Sequence, residues 1–239
     1  LGGLTVSGVL PLSAYSSLSA GLQVGFGQYS AQIANLTWGN QFNGEEFDIE
    51  LNSNEVNSLS SSLYVDLGAG LYYKFQNTSR QFLGSSFKSF NMGLAVYHIN
   101  QPTQDFLGVA EEQLKMKIVG QFSGTFDVGG SKVAIVPSMF YAQQLKYREI
   151  TAGMLLKIKM GGETKYSGLF KQSALYFGAH YRVKDAIIPQ VYLEFSDFML
   201  GVSYDKNTSD LSSAGGAGGF EISIKYVNKP KALQRKSFK

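Results

Sequence analysis

The sequence predicts an all-β fold, an antiparallel transmembrane β-barrel of outer-membrane type, on three observations. Apolar residues recur at every second position through most of the 239-residue chain, the period of a strand with two different faces. Several of these segments exceed the ~9–11 residues that a tilted strand needs to cross a bilayer. Aromatic residues gather at segment ends, with Tyr72, Tyr73 and Phe75 in one place and Tyr192, Phe195 and Phe198 in another, as in the girdles of membrane barrels.

In chain order, Leu4, Val6, Gly8, Leu10 and Leu12 alternate with Thr5, Ser7, Val9 and Pro11. Leu18, Ala20, Leu22, Val24 and Phe26 oppose Ser19, Gly21, Gln23 and Gly25, and Leu67 to Phe75 repeat the pattern. "NMGLAVYHI" (Asn91–Ile99) alternates less cleanly. The most regular stretch is "QLKMKIVGQFSGTFD", read as one strand from Gln113 to Asp127, with Lys115, Lys117 and Asp127 on its polar side. "KVAIVPSMFYAQ" (Lys132–Gln143) follows. Next, Ile150, Ala152, Met154, Leu156 and Ile158 oppose Glu149, Thr151, Gly153, Lys157 and Lys159, with Leu155 out of step. Strands through Leu175–Val183, Ile187–Phe195, Phe198–Tyr204 and Phe220–Tyr226 complete the series. The count is about eleven strands and no helix, joined locally as a meander. Pro137 and Pro189 fall inside strands, which argues for an edge or a bulge there.

Two architectures share this alternation. In a β-sandwich the apolar faces meet each other; in a membrane barrel they meet lipid and the polar face lines the interior. Strand length and aromatic placement favour the barrel. A soluble β-sandwich adhesin is the alternative fold. Eleven is odd, whereas bacterial single-chain barrels have even strand numbers. With a start inside a strand, the expectation is a barrel domain over residues 1–227 that lacks one or more N-terminal strands. Residues 228–239, "NKPKALQRKSFK", form a basic, solvated tail. With the C-terminus periplasmic, Asn35–Ser62, Asn100–Glu112 and Lys206–Gly218 lie outside. Gly129–Ser131 and Ser196–Asp197 are then short periplasmic turns, and Gln76–Ser89 and Gly161–Gln172 longer periplasmic loops.

Composition narrows the function classes. Charged residues make up 16%, below the ~25% of soluble domains. A net charge of +3 gives no reason to expect a nucleic-acid partner. The absence of cysteine excludes a disulfide framework. No apolar run approaches the ~18 residues of a transmembrane helix.

The polar face offers candidate lumen-lining residues: Lys115, Lys117, Glu149, Lys157, His180, Arg182, Glu194 and Glu221. Both signs are mixed rather than forming the single-sign stripe of an ion-selective pore, which favours a filled or plugged interior over an open channel. His98 and His180 are the two histidines. A hydrolase would need one of them beside a nucleophile or carboxylate, and neither sits in a local motif, so no catalytic residue, cofactor or transition-metal site is expected. The run Asn43–Glu55 is acidic but lacks the spacing of a calcium loop and reads as a solvated loop. The chain is expected not to be an enzyme.

"LSAGLQVGFGQYSAQIANLTWGNQF" (Leu18–Phe42) resembles the PorP/SprF family of the type IX secretion and gliding-motility system. "YVDLGAGLYYKF" (Tyr64–Phe75), "NMGLAVYHINQP" (Asn91–Pro102) and "GGFEISIKYV" (Gly218–Val227) follow in the family's order. The resemblance implies an integral outer-membrane barrel of Bacteroidota, in contact with lipid. Its partners would be a secreted surface adhesin or other type IX secretion components, and it carries over no catalytic motif. Trp38, Gln41 and Phe42 are the candidate partner-binding residues, because an aromatic and amide cluster can anchor an interface. An outer-membrane porin or hydrophobic-substrate transporter is the alternative function.

Overall fold

Strands whose side chains alternate in character, each paired with the next in the main sheet, give one long meander. In the computed structural model the described residues are 2–29, 37–52, 62–81, 84–104, 112–129, 131–160, 173–209 and 218–227. Their strands are β1 (Gly2–Pro11), β2 (Ser16–Tyr29), β3 (Ser62–Gln81), β4 (Gly84–Tyr97), β5 (Thr103–Gln104), β6 (Glu112–Gln113), β7 (Lys117–Asp127), β8 (Val133–Gln144), β9 (Tyr147–Lys159), β10 (Ser173–Arg182), β11 (Ala186–Phe195), β12 (Phe198–Asn207) and β13 (Gly219–Tyr226). Eleven of them form a single sheet in chain order, β1-β2-β3-β4-β7-β8-β9-β10-β11-β12-β13, and β5 and β6 make a small ribbon. The one helical element among the described residues is a 3-10 turn at Gly39–Gln41.

The chain divides into two compact units. The first comprises Leu1–Gly8, Ala20–Gly70 and Ala95–Ile118; the second comprises Val9–Ser19, Leu71–Leu94 and Val119–Lys239. In the first unit Leu4, Val6, Leu22, Val24, Phe26, Leu63, Val65 and Leu67 are all exposed, while Tyr64 is buried. The Tyr64 ring fills the space where a side chain on Gly27 would stand.

Register in the second unit shows what each face carries. Ile135, Leu156, Phe177, Val191, Val202 and Ile222 are successive cross-strand partners from β8 to β13. One residue along, the row is Ala134, Lys157, Tyr176, Tyr192, Gly201 and Ser223. Adjacent rows face opposite sides of a sheet, so the apolar and polar faces persist across six strands. Burial is the reverse of a soluble sandwich. Met154, Phe177, Val191, Leu200, Val202, Ile222 and Ile224 on the apolar face are exposed, and the buried residues Ala134, Leu155, Ala174, Tyr176, Ala186 and Ile188 belong to the charged face. Leu155, which breaks the sequence alternation, packs there with Ala174 and Tyr176 against Val136, Tyr192 and Met199.

The apolar face is bracketed by aromatics. Phe198 pairs with Tyr226 and Tyr204 with Phe220, and between them Leu200 pairs with Ile224 and Val202 with Ile222. The Phe198 ring contacts both Phe195 (5.7 Å) and Tyr226 (4.9 Å). Tyr204 stands six positions along β12 from Phe198, so the two aromatic pairs are about 20 Å apart at ~3.3 Å per residue.

Three details differ from the sequence reading. The strand expected from Gln113 begins at Lys117, because Glu112–Gln113 pairs with Thr103–Gln104 and the Leu114 N–H bonds the Pro102 carbonyl (2.9 Å). Gln76–Ser89 is not a long loop; β3 runs on to Gln81 and β4 resumes at Gly84. Pro137 and Pro189 lie in internal strands, not at an edge. At Pro189, which has no N–H to give, the β11–β12 ladder skips from Ile187↔Lys206 to Gln190↔Ser203 without a shift of register. Gly161–Gln172, most of the Gly-rich Ser212–Gly219 stretch, residues 53–55 of the acidic run and the tail 228–239 lie outside the described residues.

Candidate functional site

The three candidate partner-binding residues belong to one small loop in the first unit. Gln41 is its centre and is only 6% exposed. Its side-chain oxygen accepts the Trp38 N–H (3.0 Å), its amide nitrogen donates to the Leu51 carbonyl (3.1 Å), and its own carbonyl accepts the Asp48 N–H (2.8 Å). Asn43 Oδ1 then accepts the N–H groups of both Glu45 and Glu46 (2.9 Å each). The chain doubles back so that Phe42 bridges to Phe47, with ring centroids 5.2 Å apart. Trp38 is half-buried, Gln41 holds the backbone, and Phe42 is exposed beside Phe47 and Ile49. Phe47 and Ile49 had no signal in the sequence beyond alternating with acids.

The charged face of the second unit pairs its charges along the sheet. Lys157 Nζ donates to Glu194 Oε2 (3.0 Å) and lies 4.8 Å from the centre of the Tyr176 ring, whose hydroxyl donates to the same carboxylate. Lys159 reaches Asp127 (2.7 Å), and Arg182 reaches Asp185 (2.9 Å) and Asp205 (3.0 Å), with Glu149 at 3.9 Å. Lys157–Glu194, Lys159–Asp127 and Arg182–Asp205 each join strands two apart. The long cations cross over small residues. Ala134 on β8, Ala174 on β10 and Ala186 on β11 are 0%, 3% and 0% exposed, and these are the strands spanned by Lys159–Asp127, Lys157–Glu194 and Arg182–Asp205 respectively. Aliphatic stems thus cover the strand while the heads find acids.

The remaining candidates sit differently. Lys117 opens β7 and is half-buried; Lys115 precedes that strand and donates to Gln113 (2.9 Å). Glu221 is in register with Ser203 on the charged face and is exposed.

Both histidines have partners distant in sequence. His98, at φ 57° just after β4, holds Asp66 through Nδ1 (2.9 Å). Beside it, Asn100 clamps β3, donating to the Val65 carbonyl (2.7 Å) and accepting the Leu67 N–H (3.0 Å). In the second unit His180 Nε2 meets Ser138 Oγ at 2.5 Å. A cavity of about 220 Å³ adjoins this pair, lined also by Asn91, Gln121, Ser123 and Thr151. A serine and a histidine at this distance are the start of nucleophilic chemistry, which also needs donors placed for an oxyanion. Here Ser138, Gly153 and His180 are successive register partners in the β8–β9–β10 ladders, so their backbone is engaged in pairing and the row offers side-chain hydrogen bonds. Among the described residues no group of three or more His, Asp or Glu is placed to hold a metal ion.

A meander whose exposed face is apolar and whose half-buried face is charged defines an outer-membrane-type β-barrel protein. No helix among the described residues is long and apolar enough to cross a membrane, and the strands, at 8 to 20 residues in the main sheet, supply the alternative. The chain belongs to the family described as type IX secretion system membrane protein PorP/SprF, which it matches over residues 2–226. It is a membrane component of that secretion system. No curated protein matches it.

Proposed function

We propose that the chain is an integral outer-membrane anchor of the type IX secretion and gliding machinery that holds, or helps export, a secreted surface adhesin. In this reading the apolar rows of β8–β13 lie against acyl chains and the C-terminus is periplasmic. The charged face lines the interior, and the protein works by binding, without catalysis. The observation that carries it is the inverted burial of the sheet. Apolar residues stay exposed over six consecutive strands, an arrangement that water penalises by about 25 cal/mol per Å² and lipid does not. Family membership supplies the secretion system, and the ordered Trp38–Leu51 loop supplies a surface on which a partner can be gripped.

Gentle detergent extraction of native membranes, followed by purification of the chain and identification of what remains bound, tests the reading. A secreted adhesin or a type IX component is expected. A preparation that carries neither, yet conducts steadily in planar bilayers, would point to a porin instead.

A further inference from the structure

Between Thr37 and Asn52 the chain carries four acids, Glu45, Glu46, Asp48 and Glu50, and no Lys, Arg or His, although its net charge is +3. The same segment exposes large apolar side chains: Phe42 is 48%, Phe47 55% and Ile49 72% exposed. We propose that this loop docks a protein partner whose contact surface presents apolar side chains flanked by lysine or arginine. The inference rests on the reading that the chain grips a protein, and it names the chemistry of the grip.

The loop is built for presentation. Gln41 and Asn43 spend their side chains on backbone groups, so the aromatic pair is held before any partner arrives and little ordering remains to oppose binding. An apolar centre within a charged rim is the anatomy of a protein interface, and aromatic residues dominate binding energy in such centres. Charge selects the occupant. Glu45, Glu46 and Glu50 are exposed, and among the described residues none of the three is in an ion pair. Their field repels anionic lipid headgroups. A two-fold contact with a second copy would set the same acids against each other. A basic rim on the partner neutralises them and speeds encounter.

The test places photoreactive benzoylphenylalanine at position 47 of the full chain in native outer membranes. Irradiation is expected to yield one protein adduct whose crosslinked peptide, mapped by mass spectrometry, has Lys or Arg next to its apolar residues. Replacing Glu45, Glu46 and Glu50 by Lys should cut the yield at least about tenfold, and replacing them by Gln about threefold. Unchanged gel mobility before heating shows that each variant is folded. An adduct with lipopolysaccharide or with a second copy overturns the proposal, as does a yield indifferent to charge reversal. Co-purification from the same membranes separates the two levels. A secretion component that stays bound to the charge-reversed chain and to a Phe42→Ala, Phe47→Ala chain refutes the loop and leaves the gripping role standing. Absence of any such component from the unaltered chain refutes both.

Discussion

His180 Nε2 lies 2.5 Å from Ser138 Oγ although a whole strand runs between them. The residue of β9 in register with both is Gly153, and its lack of a side chain lets the two meet above it. A Cβ there would stand 2.6 Å from His180 Cδ2 and collide with the Ala179 carbonyl. Gly153→Ala is therefore expected to cost about 1–3 kcal/mol by overpacking in urea unfolding of the lipid-reconstituted protein. Ser138→Ala and His180→Ala should each cost ~1 kcal/mol, with a coupling of ~0.5–1 kcal/mol between them. If Gly153→Ala unfolds at the same urea concentration as the unaltered protein, the bridged row is wrong.

Glu194 receives hydrogen bonds from both Lys157 and Tyr176, and the lysine and glutamate side chains of this cluster are 20% and 27% exposed. Their attraction is consequently stronger than the ~0–1 kcal/mol of a surface pair. Lys157→Ala removes the ion pair and the cation–π contact, and should destabilise by about 1–3 kcal/mol. Tyr176→Phe removes one hydrogen bond and should cost ~1 kcal/mol. High salt should narrow the Lys157→Ala difference only slightly, because partly buried pairs are poorly screened; a difference that salt abolishes would mark the pair as solvent-exposed.

Ala186 is fully buried with Arg182 as its register partner, and Arg182 in turn holds Asp185 and Asp205. Ala186→Leu would lift the guanidinium from both acids. A loss of about 1–3 kcal/mol is expected from overpacking, and Arg182→Ala in the same background should add less than it does alone. Additive losses would show that the arginine does not lie over Ala186.

The face each strand turns outward was legible in sequence because a period of two survives without any tertiary information. Leu175, Phe177, Ala179 and Tyr181 on one strand and Leu200, Val202 and Tyr204 on another alternate as expected. Leu155 did not, since its burial depends on Tyr176 and Met199, which come from other strands. The extension of β3 to Gln81 was hidden because the sequence from Gln76 to Gln81 is polar throughout and carries no alternation. The partners of the histidines were out of reach for the same reason as Leu155. Asp66 is 32 positions from His98, and Ser138 is 42 from His180; only the strand register brings them together. In the Trp38–Phe42 cluster the residue types were visible, but not that Gln41 would turn inward to hold the backbone while Phe47 and Ile49 joined Phe42 outside.

Val202 and Ser203 are adjacent on β12, and the sheet turns them to opposite faces, Val202 between Val191 and Ile222, Ser203 between Gln190 and Glu221. Val202 lies inside the section bracketed by Phe198–Tyr226 and Tyr204–Phe220. If lipid covers that section, an arginine at 202 must enter hydrocarbon, at a cost of ~2–4 kcal/mol near the bilayer midplane. At 203 the same arginine lies beside Glu221 and should cost under ~1 kcal/mol. Were water to cover the apolar face instead, Val202→Arg would be nearly neutral, because Val202 is already 44% exposed and surface changes typically stay within about 0.5 kcal/mol. Reversible unfolding of both variants from lipid vesicles reads the difference directly, and equal stability of Val202→Arg and Ser203→Arg would remove the membrane-facing assignment.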